Sequence, residues 1–246
     1  MMRYFLDIAY RGAPFHGWQV QPGQITVQSV LEDALGRLAR CPAPVTGAGR
    51  TDAGVNARRM IAHVDLPDGL DTGDRFLHSL NSLCGADIAV RSIRPVAPGA
   101  HARFDATERS YRYFAHTAKS PFTQGLSWLA PANLDFDAMN AAAALIVGRR
   151  DFTSFSKLHT DVKTNICDLR AAAWHREGPD SWYFEITADR FLRNMVRAVV
   201  GTLVDIGRHK YSPDGILDIL TAADRCAAGN SMPPGPLFLW DVKYPY

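Results

Sequence analysis

The chain has 246 residues, 47% of them hydrophobic and 21% charged, with 27 Lys and Arg against 25 Asp and Glu for a formal net charge of +2. So much apolar content with so little net charge excludes a disordered polymer, and the longest apolar run, Ala141 to Val147, falls far short of the ~18 residues that suggest a membrane span. A chain of this length buries roughly three quarters of its unfolded surface and forms one large or two small domains.

Tyr4, Leu6, Ile8 and Tyr10 alternate with Phe5, Asp7 and Ala9, the period of two of a strand. The same opening stretch holds an Arg and an Asp, so no secretory signal is expected and a cytoplasmic location is the default. A Gly/Pro-rich loop follows, and from Thr26, a plausible N-cap, the positions Val27, Val30, Leu31, Ala34, Leu35 and Leu38 keep helical spacing. A short strand near Val45, a loop from Gly47 to Gly54 and a strand from Met60 to Val64 come next. A helix over Asp74 to Leu83 and a strand over Ile88 to Ile93 complete a β-α-β-β-α-β half.

The second half opens on an aromatic alternating run, Ser110 to His116, followed by a helix over Asp135 to Val147 and a loop over Arg149 to Asp161. Strands are expected at Ala171 to His175 and Trp182 to Ile186. The clearest helix spans Phe191 to Ile206, with Leu192, Met195, Val196, Val199, Leu203 and Ile206 in one apolar stripe. A shorter helix starts at Ser212 and Pro213, a cap followed by proline at the first helical position, and runs to about Ala222. The last strand is Leu237 to Lys243. Strands interleaved with helices, several of them antiparallel neighbours, describe α+β halves sharing a mixed sheet.

Several chemical signals fail on inspection. Gly47-Ala-Gly49-Arg-Thr-Asp52 lacks the third glycine of a dinucleotide fingerprint and is followed by a strand, and no Gly-Lys-Ser/Thr makes it a P-loop. Ser154-Phe-Ser-Lys157 matches S-x-x-K without its partner motifs. Cys41, Cys84, Cys167 and Cys226 form no C-x-x-C pair, which argues against zinc and against a disulfide framework; they are expected as buried thiols. No metal motif accompanies the eight His. Of the 27 cations 22 are Arg, whose planar fork suits phosphate contact and base stacking; ordinary surface ion pairing is the alternative.

What remains is a carboxylate in a glycine-rich loop. Gly47, Gly49 and Gly54 surround Arg50-Thr51-Asp52, so the backbone can turn sharply and another chain can approach closely. A turn or Asx cap is the bland role for Asp52. Tyr111 could offer a ring face to a base or be a core tyrosine. Arg197, on the strongest helix with Arg193 one turn before it, is either a solvated residue or a partly buried charge that wants a carboxylate.

Taken together, GAGRTDAGV, FHGWQVQP with TVQSVLEDAL, ARFDATERSYRY, ADRFLRNMVRAVVGTLVDIG and LFLWDVKYP resemble the tRNA pseudouridine synthases of the TruA type, in the family's order and from about Tyr4 to Tyr244. The sequence departs from the family pattern at Arg11, Asn56 and Pro236, where an acid, a histidine and a glycine are usual. The resemblance implies isomerisation of uridine to pseudouridine at positions 38, 39 and 40 of the tRNA anticodon stem-loop, with no cofactor and no metal. It implies Asp52 as the essential carboxylate, acting as a nucleophile or as the base that removes a sugar proton, and Arg197 as its partner. It makes Tyr111 the residue that stacks on the extruded base. Arg50, Arg58, Arg59 and Arg193 are weaker candidates for RNA contacts, with exposed ion pairing the alternative for each. The fold implied is two α/β-type halves sharing a mixed, mostly antiparallel sheet with flanking helices and an active-site cleft between them. Residues 1–104 would carry Asp52, and residues 105–246 Tyr111 and Arg197. The expected partners are tRNA and a second copy of the chain in a homodimer, with no membrane. A non-catalytic RNA-binding protein and a metal-dependent nuclease are the alternative classes, the second disfavoured because the loop holds no second acid.

Overall fold

The computed structural model describes residues 1–157 and 164–246. In chain order the elements are β1 (Met2–Tyr10), α1 (Val27–Ala39), β2 (Val45–Gly47), β3 (Asn56–Leu66), α2 (Asp74–Cys84), β4 (Ile88–Pro95) and β5 (Glu108–His116). They continue as β6 (Trp128–Leu129), α3 (Phe136–Leu145), β7 (Gly148–Asp151), β8 (Ile166–Arg176), β9 (Ser181–Ala188), α4 (Met195–Gly207), α5 (Gly215–Ala222) and β10 (Leu237–Lys243). The fold is α+β, and its strands pair mostly antiparallel. Two compact units divide the chain: Met1–Thr107 with Phe238–Tyr246, and Glu108–Leu237.

In the first unit the strand order is β4-β1-β3-β10, with β2 on β3. All pairs are antiparallel except β10 with β3, where Phe238 faces Asn56 and Leu239 faces Ala57. Leu6 and Ile8 of β1 and Met60 and Leu66 of β3 are fully buried together with Leu31 and Leu35 of α1 and Leu80 of α2. Thr26 caps α1 as its sequence predicts: its Oγ1 accepts from the Ser29 N–H at 3.2 Å while the Ser29 Oγ accepts from the Thr26 N–H at 3.1 Å. Beside this core Phe5 meets the rings of Tyr244 and Tyr246, with centroids 5.3 and 6.3 Å away.

In the second unit the order is β5-β9-β8-β7, antiparallel throughout, with β6 added parallel to β5. Tyr113, Phe184, Phe152 and Phe155 are fully buried with Met139 of α3 and Met195, Val199 and Leu203 of α4. Asp135 caps α3 by accepting from the Ala138 N–H at 2.9 Å. A stretch from Gly229 to Met232 runs along α4: the Gly229 N–H donates to Thr202 Oγ1 at 2.8 Å and the Met232 N–H to the Arg197 carbonyl at 3.1 Å.

Four expectations need correction. The strongest helix begins at Met195, not at Phe191, because Asn194 sits in the left-handed region (φ 67°) and its Nδ2 donates to Ser231 Oγ at 2.6 Å. Arg193 therefore lies outside the helix that carries Arg197. The last helix begins at Gly215, with Ser212 and Pro213 in a turn closed by the Gly215 N–H on the Ser212 carbonyl at 3.0 Å. The loop expected over Arg149 to Asp161 holds most of β7 and a 3-10 turn over Thr153–Phe155, and its end lies outside the described residues. Of the four thiols only Cys84 and Cys167 are buried; Cys41 is half-buried and Cys226 exposed. No helix of the described residues is long and apolar enough to cross a membrane.

Candidate active site

Asp52 is half-buried on a tight turn in the first unit. The Val55 N–H donates to the Asp52 carbonyl at 3.1 Å, and Gly54 stands at φ +78°, the positive value that a turn of this kind demands at its third position. The loop after β1 braces the turn from outside. The Trp18 N–H donates to the Thr51 carbonyl at 3.1 Å, and the Gly54 N–H to the Phe15 carbonyl at 3.4 Å. Gly17 is at φ +88°, and a Cβ there would lie 2.7 Å from the Thr51 carbonyl oxygen. The buried Trp18 ring packs on Gly47, where a Cβ would lie 2.6 Å from it. These two approaches explain why glycine occurs on both sides of the contact.

Side chains pin the same turn. Thr51 is buried and its Oγ1 shares a hydrogen bond of 2.8 Å with the Tyr10 hydroxyl at the end of β1. Asn56, only 1% exposed, accepts the Gly12 N–H on its Oδ1 at 2.8 Å. That bond ties the first residue of β3 to the loop that follows β1. At Arg11 it is the backbone that is anchored, the N–H donating to the Asp87 carbonyl at 2.9 Å. The Pro236 carbonyl accepts the Phe114 N–H at 3.0 Å in the second unit.

Arg50 is exposed beside Asp52. Farther along, Arg58 and Arg59 lie on the strand that leaves the turn. Arg58 stacks over Trp240 at 4.3 Å, and Arg59 is held by Asp7 and Asp241 at 2.8 and 2.7 Å. Burial works against the Arg59 charge, but the hydrogen bonds and charges of the two acids outweigh it and raise its pKa above the usual arginine range.

Tyr111 and Arg197 both belong to the second unit, on β5 and α4. Tyr111 pairs with Ile186 across β5 and β9, and its ring stands edge-on to Phe191 with centroids 5.0 Å apart at 85°. Tyr113, two residues on and therefore on the same face, is fully buried, and its hydroxyl has no hydrogen-bond partner among the described residues. Burial pushes that hydroxyl's pKa up, and the charge of Arg197 pulls the other way. Arg197 is half-buried in the first turn of α4, and its Nε donates to the Met232 carbonyl at 2.6 Å. Arg193 has an exposed side chain, and its carbonyl accepts the Lys157 N–H at 3.0 Å. The structure thus places Arg50 two residues before Asp52 in one loop of the first unit, and Tyr111 and Arg197 in the second unit.

Sequence reasoning assigned no role to Gly17, Trp18, Phe191 or Met232, which position these groups. Trp18 stands in one of the blocks that carry the resemblance, and that was its only signal. Among the described residues no group of three or more His, Cys, Asp and Glu is placed to hold a metal ion.

A family model described as tRNA pseudouridine synthase matches residues 142–245. The chain is 53% identical over 245 residues to tRNA pseudouridine synthase A of Parabacteroides distasonis, covering 100% of this chain and 97% of that protein. It is 51% identical over 247 residues to the protein of the same name from Bacteroides thetaiotaomicron, covering 100% and 91%, and 40% identical over 247 residues to the one from Bacillus subtilis, covering 99% of each. Matches of this identity span essentially the whole chain, so the chain belongs to the tRNA pseudouridine synthase A family.

Proposed function

We propose that this chain isomerises uridine to pseudouridine in the anticodon stem-loop of tRNA, at positions 38, 39 and 40. The observation that carries the reading is the identity to relatives named for this activity over essentially their whole length. The pinned turn under Asp52 supports it, because a carboxylate held in place spares the reaction the entropy of positioning it. Breaking the C1′–N1 bond frees the uracil to turn and form a C1′–C5 bond, after which C5 loses its proton to solvent and N1 gains one. Substrate and product have the same atoms, so the reaction needs no oxidant, reductant or energy source.

In this reading Asp52 is the essential carboxylate, either adding to C1′ or removing a sugar proton, and Arg197 is the cation that pairs with it. The Met232 carbonyl accepts from the Arg197 Nε at 2.6 Å, which fixes that side of the guanidinium. Tyr111 stacks on the uracil, a contact worth about 1–3 kcal/mol that offsets the few kcal/mol of drawing the base out of its stem. The chain acts as a cytoplasmic homodimer.

Tritium release from tRNA made with 5-tritiated uridine tests the reading. Wild type should release tritium and Asp52→Asn should not. Comparable release by the variant would overturn the role of Asp52, and binding without release by the wild type would overturn the isomerase reading.

A further inference from the structure

Six side chains of the first unit, Asp7, Arg58, Arg59, Arg91, Trp240 and Asp241, line an open cavity of about 330 Å³. Two irregularities of strand pairing build it. Between the pairs Ile8–Met60 and Tyr10–Ala57, β3 uses one residue more than β1. Between Asp7–Ser92 and Ile8–Val90, β4 does the same, and the extra residue is Arg91. On a regular strand Arg58 and Arg59 would point to opposite faces. The bulge re-aims one of them, so that both line the same cavity, and the second bulge supplies Arg91 from the other side of β1.

The charges in this cavity are unevenly committed. Arg59 takes both acids, its Nε on Asp7 at 2.8 Å and a terminal nitrogen on Asp241 at 2.7 Å. Arg58 and Arg91 are exposed and pair with no carboxylate among the described residues. Arg58 uses the face of its guanidinium on Trp240, 4.3 Å from the ring centroid, which leaves its N–H edge to donate. Three guanidinium groups against two carboxylates leave one net positive charge, which a phosphodiester would neutralise.

We infer that this cavity binds a backbone phosphate of the RNA substrate, with Arg58 and Arg91 donating to its oxygens and Trp240 holding Arg58 in place. The inference rests on RNA being the substrate. Arg58 follows Asp52 by six residues, a span of at most about 22 Å even for a fully extended chain, so one RNA can reach both. Bulges of this kind recur beside functional sites, where they aim a side chain that regular pleating would turn away.

Equilibrium binding of an anticodon stem-loop whose candidate uridines are replaced by cytidine tests the cavity without any isomerisation. Arg91→Ala should weaken binding roughly three- to tenfold and lower the slope of log affinity against log salt by about 0.7 to 0.9, the loss of one phosphate contact. Arg91→Lys should recover most of both, since it keeps the charge. Unchanged affinity and slope in Arg91→Ala would overturn the inference. So would weakened binding of inorganic phosphate, followed by phosphorus NMR, with RNA binding intact, because the cavity would then serve a free anion. Absence of tritium release by the wild type would instead count against the isomerase reading and leave the binding comparison standing.

Discussion

Asp52 owes its position to residues that carry no chemistry. Gly17 combines a left-handed φ of +88° with a Cβ position 2.7 Å from the Thr51 carbonyl oxygen. Alanine there meets both a backbone penalty of about 1–2 kcal/mol and a contact that only a shift of the turn can relieve. Gly17→Ala should therefore destabilise the protein by roughly 2–3 kcal/mol in urea unfolding and reduce tritium release at least about tenfold, since a displacement of the order of an ångström suffices for that. A variant with wild-type stability and release would show that the turn tolerates the movement. The glycines around Asp52 were legible in the sequence as a sharp turn and a close approach. Gly54 makes the turn and Gly47 the approach, whereas nothing lies within 4 Å of a Cβ at Gly49. What touches the turn could not be read, because Gly17 and Trp18 are more than 30 residues away in the chain and come together only through the pairing of β1 with β3.

Among the elements, α4 shows where periodicity succeeds and where it misleads. Its apolar stripe identified the helix, but Leu192 extends the spacing past the true start. Leu192 is 5% exposed in the turn before the helix, so burial alone keeps it apolar. The two short strands β6 and β7 escaped for another reason. Trp128–Leu129 is too short to alternate, and Gly148–Asp151 has no apolar face. Within α4, Gly201 lies against the Asn230 carbonyl, which a Cβ would overlap. Helix propensity favours Gly201→Ala by about 1 kcal/mol, but the overlap is with backbone of the stretch that also holds Arg197 and cannot give way as a flexible side chain would. Packing should win. The variant is expected to lose about 2 kcal/mol of stability and to unfold at lower urea than wild type; a gain in stability would show that the 229–232 stretch moves aside at little cost.

At the scale of the whole molecule, one contribution to acid sensitivity comes from a buried imidazole. His63 on β3 is 8% exposed, and its Nδ1 accepts the Ala102 N–H at 3.1 Å. Burial, reinforced by the charges of Arg3 and His101, pushes its pKa from 6.5 down to about 4, while Asp65 and Asp105 oppose the shift. Between these values the unfolded chain binds a proton that the folded chain refuses. Stability should therefore fall as the pH drops from about 6.5 toward 4, by an amount on the order of 3 kcal/mol once both states are protonated, and the group contributes no pH dependence above that window. Urea unfolding at pH 7 and pH 4.5 should show a smaller acid loss for His63→Gln than for wild type; equal losses would assign acid sensitivity to other groups. The same face of the first unit receives the chain's last residues, whose rings cover Phe5 and whose Tyr244 hydroxyl donates to the Ala102 carbonyl at 2.5 Å.

The sequence by itself determined the order and type of the long elements, the glycine turn under Asp52 and the family, because these depend on local spacing and on short motifs that act over a few residues. Only the tertiary structure decided that β10 pairs with β3 in the first unit, that residues 12–18 brace the Asp52 turn, and that two bulges bring Arg58, Arg59 and Arg91 to one cavity. Strand register and bulge position arise from pairing between distant segments. A shift of one residue reverses which face a side chain takes, and no local pattern records that choice.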